Sequence, residues 1–292
     1  MTISDKDKPR LVKPRLLMSA GTTLAAGLLV ASPVAGALTG KLASDAAGGF
    51  SAPANVWLAA SEGGEGGEGG EGGEGGEAGV SETETDDVSY LTGLGLIEGE
   101  VRAAVAMYEA GNKDMAEAYM YRPGEDILDQ LKPGLEARGA EGLDDQLAAL
   151  RYAVSSDGDS TSLKAAFEQF LSAVDAAGSK IADGDKARLG AITELVRAAA
   201  KEYGDAYNDE GIENEAEYHH SWGFVQVARR MAGELKSSGD AAVADAASTD
   251  LEQIALIEPA WPGIKAPEKR PVDPSVLFGA AARIEIAALK VK

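Results

Sequence analysis

From Val88 onward, apolar side chains recur with the period of an α-helix. Leu91, Leu94, Val101, Val105 and Tyr108 lie on one stripe of a 3.6-residue repeat. Gly111-Asn112 supplies a stop and a new N-cap, and a shorter helix over 113–121 runs up to Pro123. The same pattern predicts helices over 126–138 (broken or kinked at Pro133-Gly134), 142–154, 162–176, 186–208, 213–236 and 241–257. Gly139, Gly178 and Gly239 read as helix ends. A proline-rich loop, 258–271, follows. Asp273-Pro274 then reads as an N-cap with proline at the first helical position, opening a last helix toward Leu289. No run alternates apolar and polar residues as a half-buried strand would. The fold predicted for residues 88–292 is an all-α helical bundle, long enough to enclose a core.

Part of the pattern repeats. A shift of 95 residues sets Leu94, Gly95, Ile97, Val101, Arg102, Ala103, Ala104 and Tyr108 against Leu189, Gly190, Ile192, Val196, Arg197, Ala198, Ala199 and Tyr203. With five more residues inserted, Gly111, Ala116 and Glu117 meet Gly211, Ala216 and Glu217. The expectation is a duplicated helical hairpin, repeat one over about 88–123 and repeat two over about 186–236, the two packing by pseudo-symmetry. This register sets Tyr119 and Met120 opposite His219 and His220.

Upstream of Val88 the pattern changes twice. Residues 1–15 are basic through Lys6, Lys8, Arg10, Lys13 and Arg15; an apolar run over 16–31 follows, then Ala35 and Ala37 at the −3 and −1 positions of an A-x-A cleavage site. That order reads 1–37 as a signal peptide and the protein as exported to the periplasm, the alternative being an uncleaved N-terminal anchor. In residues 38–87 no core can form. Glu62, Glu65, Glu68, Glu71, Glu74 and Glu77 are each separated by Gly-Gly, which reads as a disordered, polyanionic linker rather than a dedicated cation trap.

Composition narrows the functions open to such a bundle. Lys and Arg number 27 against 48 Asp and Glu, a net charge of −21, which argues against nucleic acid or an anionic lipid surface as partner. Cysteine is absent, excluding disulfides, thiolate catalysis and Cys-ligated metals. Gly93-x-Gly95-x-x-x-Gly99 has the wrong spacing for a dinucleotide loop. Asp157, Asp159, Thr161 and Glu168 mimic a calcium loop, but Ser162 stands where that loop needs glycine. No nucleophile–base set is visible, so an enzyme is the least favoured class.

The remaining chemistry gathers on the second helix of each repeat. His219 and His220 are adjacent and point about 100° apart on a helix, so both cannot face one ion comfortably. Glu215 stands at i−4 of His219 and Glu217 at i−3 of His220, the one-turn spacing by which bundles build carboxylate–imidazole sites. Met107, Met115 and Met120 would add soft ligands suited to Cu(I), although methionine at helical spacing is also ordinary core filler. Trp222 and Phe224 read as core anchors, with Gly223 allowing close helix approach; a flat ligand such as haem against them, with an axial histidine, is the lesser alternative. Arg102 and Arg197, at matched positions, are expected to pair with Glu98 and Glu194. At class level an exported, acidic, His- and Met-bearing bundle resembles the imelysin-like periplasmic proteins of iron and copper uptake. Their G-x-H-x-x-E motif has no counterpart: the nearest stretch, Ile97–Arg102, holds no histidine, so no residue role carries over.

The sequence therefore points to a non-enzymatic periplasmic binding or trafficking protein for a transition metal, iron or copper. Met120, Glu217, His219 and His220 are the candidate ligands. The rival is a helical interaction module, tethered in the envelope and docking on a protein partner.

Overall fold

The structure is a computed structural model and describes residues 82–122, 127–156, 160–182 and 184–292. The signal peptide, nearly all of the Gly/Glu linker and the calcium-loop mimic at 157–159 lie outside the described residues. Within them the chain is all-α, with ten helices: α1 Glu82–Thr85, α2 Asp87–Glu109, α3 Lys113–Arg122, α4 Leu128–Ala137, α5 Leu143–Ser155, α6 Ser160–Gly178, α7 Gly184–Asp205, α8 Glu215–Leu235, α9 Ala241–Ile257 and α10 Pro274–Ala288. The 3₁₀ turn Glu258–Ala260 follows α9.

Short polar residues start the helices. Asp86 accepts a hydrogen bond from the Ser89 amide at 2.7 Å, Asn214 from Ala216 at 3.1 Å, Asp240 from Ala242 at 2.7 Å and Asp273 from Ser275 at 2.8 Å. Pro274 occupies the first turn of α10, where its missing N–H costs nothing. At the other end of α2, Gly111 turns the chain with φ of 85°.

Two departures from the sequence reading share one cause. The single turn α1 falls inside the stretch read as linker, and α4 runs unbroken through Pro133. A Cβ on Gly134 would lie 2.6 Å from the Thr83 carbonyl, and the Thr83 hydroxyl donates to the Gln130 carbonyl at 3.0 Å. Pro133-Gly134 is thus where α1 seats against α4. A four-residue helix is too short to show a period, so tertiary contact alone reveals it.

Helix α2 is buried along almost its whole length, because α7 and α8 pack on it while α3, α4 and α6 cover other faces. α7 and α8 form an antiparallel pair, backed by α9 and α10. Glycine sets the α2–α8 separation: a Cβ on Gly223 would lie 2.1 Å from the Gly99 carbonyl oxygen, and one on Gly99 would strike the Phe224 ring at 2.5 Å. The helices therefore meet backbone to backbone. Phe224 is buried as expected, while Trp222 is only partly so.

Both matched arginines find their expected acids. Arg102 reaches Glu98 at 2.7 Å, and Arg197 reaches Glu194 and Glu285 at 2.6 Å each. Glu98 is fully buried and also takes a two-pronged contact from Arg230 of α8, at 2.9 and 2.5 Å. Burial opposes the charge on Arg230, but Glu98 and Glu234 more than offset it and hold its pKa above the ordinary arginine value. This is a buried carboxylate fully served by its neighbours.

Candidate metal centre

The turn 206–214 reverses the chain so that the last turn of α7 lies beside the first turns of α8. It is held by Asn208 N–H to the Gly211 carbonyl at 2.9 Å and by Glu213 N–H to the Ala206 carbonyl at 2.9 Å. The reversal brings Glu202 of α7 against Glu217 and His220 of α8. One ligand atom from each of the three lies within 4.8 Å of the others. Glu217 Oε2 and His220 Nδ1 are 4.0 Å apart, the i,i+3 relation expected from the sequence. His220 is 1% exposed and Glu202 6%.

Glu202 is the informative member. Its Oε2 is buried with no hydrogen-bond partner among the described residues. It also sits in the last turn of α7, where the helix dipole presents its negative end and disfavours an anion. Among the described residues no Lys or Arg ion pair gives Glu202 the positive charge that Arg102 and Arg230 give Glu98. A cation between Glu202, Glu217 and His220 would supply it. Two ligands bound at about 2.1 Å can lie no more than about 4.2 Å apart across an ion, so side-chain movements of a few tenths of an ångström would close the set. Two carboxylates and an imidazole form a hard-to-borderline donor set, suited to iron rather than Cu(I).

His219 takes a different course. Its Nε2 lies 2.7 Å from the Ile264 carbonyl and its Nδ1 2.8 Å from the Tyr119 hydroxyl. Burial pushes the His219 pKa down, outweighing the Ile264 hydrogen bond and the Glu215 charge that raise it, so the ring is neutral at neutral pH. A carbonyl can only accept, so Nε2 carries the hydrogen and Nδ1 accepts from Tyr119. The structure thus brings two of the four sequence candidates, Glu217 and His220, into one cluster and engages both nitrogens of His219 elsewhere. Met120, beside Tyr119 on α3, is fully buried in the apolar core. Tyr119 and His219, set opposite each other by the repeat alignment, meet directly.

The loop after α9 is tied down over this region. Tyr218 donates to the Gly263 carbonyl at 2.6 Å, Trp261 Nε1 to Ser221 Oγ at 2.8 Å, and the Val272 amide to the Tyr203 hydroxyl at 3.1 Å. Arg270 reaches the Tyr207 carbonyl at 2.5 Å. Burial lifts the Tyr218 phenol to about 12, so it stays a hydrogen-bond donor at any physiological pH.

Sequence reasoning missed Glu202 among so many acids, yet a signal was present. It lies seven residues after Leu195 and three after Ala199, in register with buried positions of α7. An acid in a core register is a flag that a general count of carboxylates conceals.

Residues 180–291 match the iron permease-associated 4-helix bundle domain family. No protein of curated function and no solved structure matches the chain. The matched span covers α7 to α10, less than half of the chain, and contains Glu202, Glu217, His219 and His220; Tyr119 and Met120 on α3 lie outside it. The likeness relates this bundle to iron-permease systems. No helix among the described residues is long and apolar enough to cross a membrane.

Proposed function

We propose that this chain is an iron-handling bundle of the bacterial cell envelope that serves an iron permease, with Glu202, Glu217 and His220 as the ion's ligands. One observation carries the reading: a buried, incompletely satisfied carboxylate, Glu202, converges with a second carboxylate and an imidazole. The family likeness supports it, because the whole cluster falls in the span similar to an iron permease-associated domain. In this reading residues 1–37 direct export and the Gly/Glu stretch before α1 gives the bundle reach. The carboxylates bind and partly neutralise the ion, and His220 contributes a neutral nitrogen. The buried surroundings raise the affinity of the anionic pair for a cation by excluding water.

Anaerobic Fe²⁺ titration of the purified protein, followed by equilibrium dialysis, tests this. Saturable binding of one iron per chain is expected, lost in Glu202→Gln and in His220→Ala with helical circular dichroism unchanged. Binding that survives both substitutions refutes the assignment.

A second reading, an interaction module docking on a membrane-protein partner, is favoured by a different observation. Phe278, Ile286 and Leu289 at α10 and Leu256 of α9 are each 47–66% exposed. Capture of a permease partner that fails in Phe278→Ser/Ile286→Ser but not in His220→Ala would favour that reading.

A further inference from the structure

The pair formed by Tyr119 and His219 has the geometry of a proton-coupled electron donor. Tyr119 is only 9% exposed, and its hydroxyl donates to His219 Nδ1 at 2.8 Å. The other nitrogen of that ring donates to the Ile264 carbonyl at 2.7 Å, which fixes the tautomer and leaves Nδ1 as a built-in acceptor for the phenolic proton. The Tyr119 ring also lies 5.2 Å, centroid to centroid, from the ring of His220, a member of the metal cluster. One tyrosine thus touches a proton acceptor on one side and a candidate ligand on the other.

The rings continue beyond the pair. His219 is 5.6 Å from Tyr218, Tyr218 is 6.3 Å from Tyr207, Tyr207 is 5.5 Å from Tyr203, and Tyr203 is 5.5 Å from Trp261. Aromatic residues make up only 5% of the chain, and most of the core is Leu, Ile, Val and Ala. Filling space alone does not require this concentration of oxidisable rings beside one cluster.

We propose that Tyr119 is a redox-active residue that donates an electron to the iron centre when bound Fe²⁺ meets hydrogen peroxide. The proposal rests on the reading of Glu202, Glu217 and His220 as an iron site. Reduction of peroxide to water breaks the O–O bond and takes two electrons. Fe²⁺ gives one and becomes Fe³⁺. Tyr119 gives the other: its O–H bond breaks, the electron crosses the contact with His220, and the proton moves to His219 Nδ1. That proton stays on His219 and two from solvent complete two waters, so Fe²⁺, H₂O₂, Tyr–OH, neutral His219 and two H⁺ become Fe³⁺, Tyr–O•, protonated His219 and two H₂O. Without the second electron, Fe²⁺ alone cleaves peroxide to hydroxide and a hydroxyl radical. The tyrosine keeps the oxidising equivalent on the protein, and the chain of rings toward Trp261 offers it further places to reside.

Full-length protein is loaded anaerobically with ferrous ammonium sulfate, binding is measured by dialysis, and an equivalent of hydrogen peroxide is added before freeze-quenching. Electron paramagnetic resonance should show a tyrosyl radical in the wild type. In Tyr119→Phe that signal should be lost and spin-trapped hydroxyl radical should rise, while Fe²⁺ binding is retained. Iron binding without any protein radical in the wild type, or an unchanged radical in Tyr119→Phe, overturns the redox role and leaves the metal site standing. Failure of the wild type to bind Fe²⁺ overturns both. If Tyr119→Phe does not fold, peptide mapping of the peroxide-treated wild type decides: oxidation at Tyr119 supports the proposal, and oxidation confined to other residues overturns it.

Discussion

Asp250 offers the sharpest test of how this bundle balances burial against charge. It lies on α9 with none of its surface exposed, and neither carboxylate oxygen has a hydrogen-bond partner among the described residues. Desolvation alone lifts its pKa from 3.8 to about 7. In the unfolded chain the carboxyl ionises near its ordinary value, so between pH 4 and pH 7 the native state holds a proton that the unfolded state has released. Stability must therefore fall as pH rises through that window, by about 1.4 kcal/mol per unit, and the loss is complete above the native pKa. Three units correspond to an upper figure of about 4 kcal/mol.

Asp250→Asn keeps the shape and removes the titration. The variant should match the wild type in stability near pH 4 and exceed it by several kcal/mol at pH 8, less whatever the buried amide costs for its own unpaired groups, about 1–3 kcal/mol. Urea unfolding of both proteins, followed by circular dichroism at half-unit steps from pH 4 to pH 8, measures the difference directly. The other acids cancel between the two curves. Parallel curves would refute the reasoning, because they would mean that Asp250 is hydrated or paired in solution.

Further substitutions probe other contacts. Gly223→Ala drives a Cβ into the Gly99 backbone and should cost about 1–3 kcal/mol or more in urea unfolding, since neither backbone can yield without moving a helix. Glu98→Gln leaves Arg230 and Arg102 without their shared buried anion; a loss of about 2–3 kcal/mol is expected, below the figure for a fully buried pair because both arginines are partly exposed. Tyr119→Phe should cost about 1 kcal/mol by leaving His219 Nδ1 unpaired, read as a lowered thermal midpoint. Glu202→Gln should raise the thermal midpoint of the metal-free protein while abolishing iron binding, because the Glu202 Oε2 is buried without a hydrogen-bond partner among the described residues, at a helix end that disfavours negative charge; a lower midpoint would show that Glu202 is structural.

How much of this could be read from the sequence depends on whether the cause was local. The bounds of α9, the Asp273-Pro274 start of α10, the Gly223 approach and the Arg–Glu pairs all rest on spacing within one helix, and the structure agrees with each. The turn α1 and the continuity of α4 rest on contact between segments some 50 residues apart, which no local period records. The candidate site divides along the same line. Glu217 and His220 were legible as an i,i+3 pair on one helix, whereas Glu202 enters from another.

His219 shows the limit most plainly. As text it cannot be told from His220, being an imidazole on the same helix with an acid one turn earlier. The fold separates them by the 100° that one residue turns: one ring faces two carboxylates, and the other spans from α3 to the loop after α9. The two histidines therefore stand in different surroundings. His220 lies beside Glu202 and Glu217. His219, its tautomer set by a carbonyl, ties α3 to the loop after α9, and it does so through the same tyrosine that lies against the cluster.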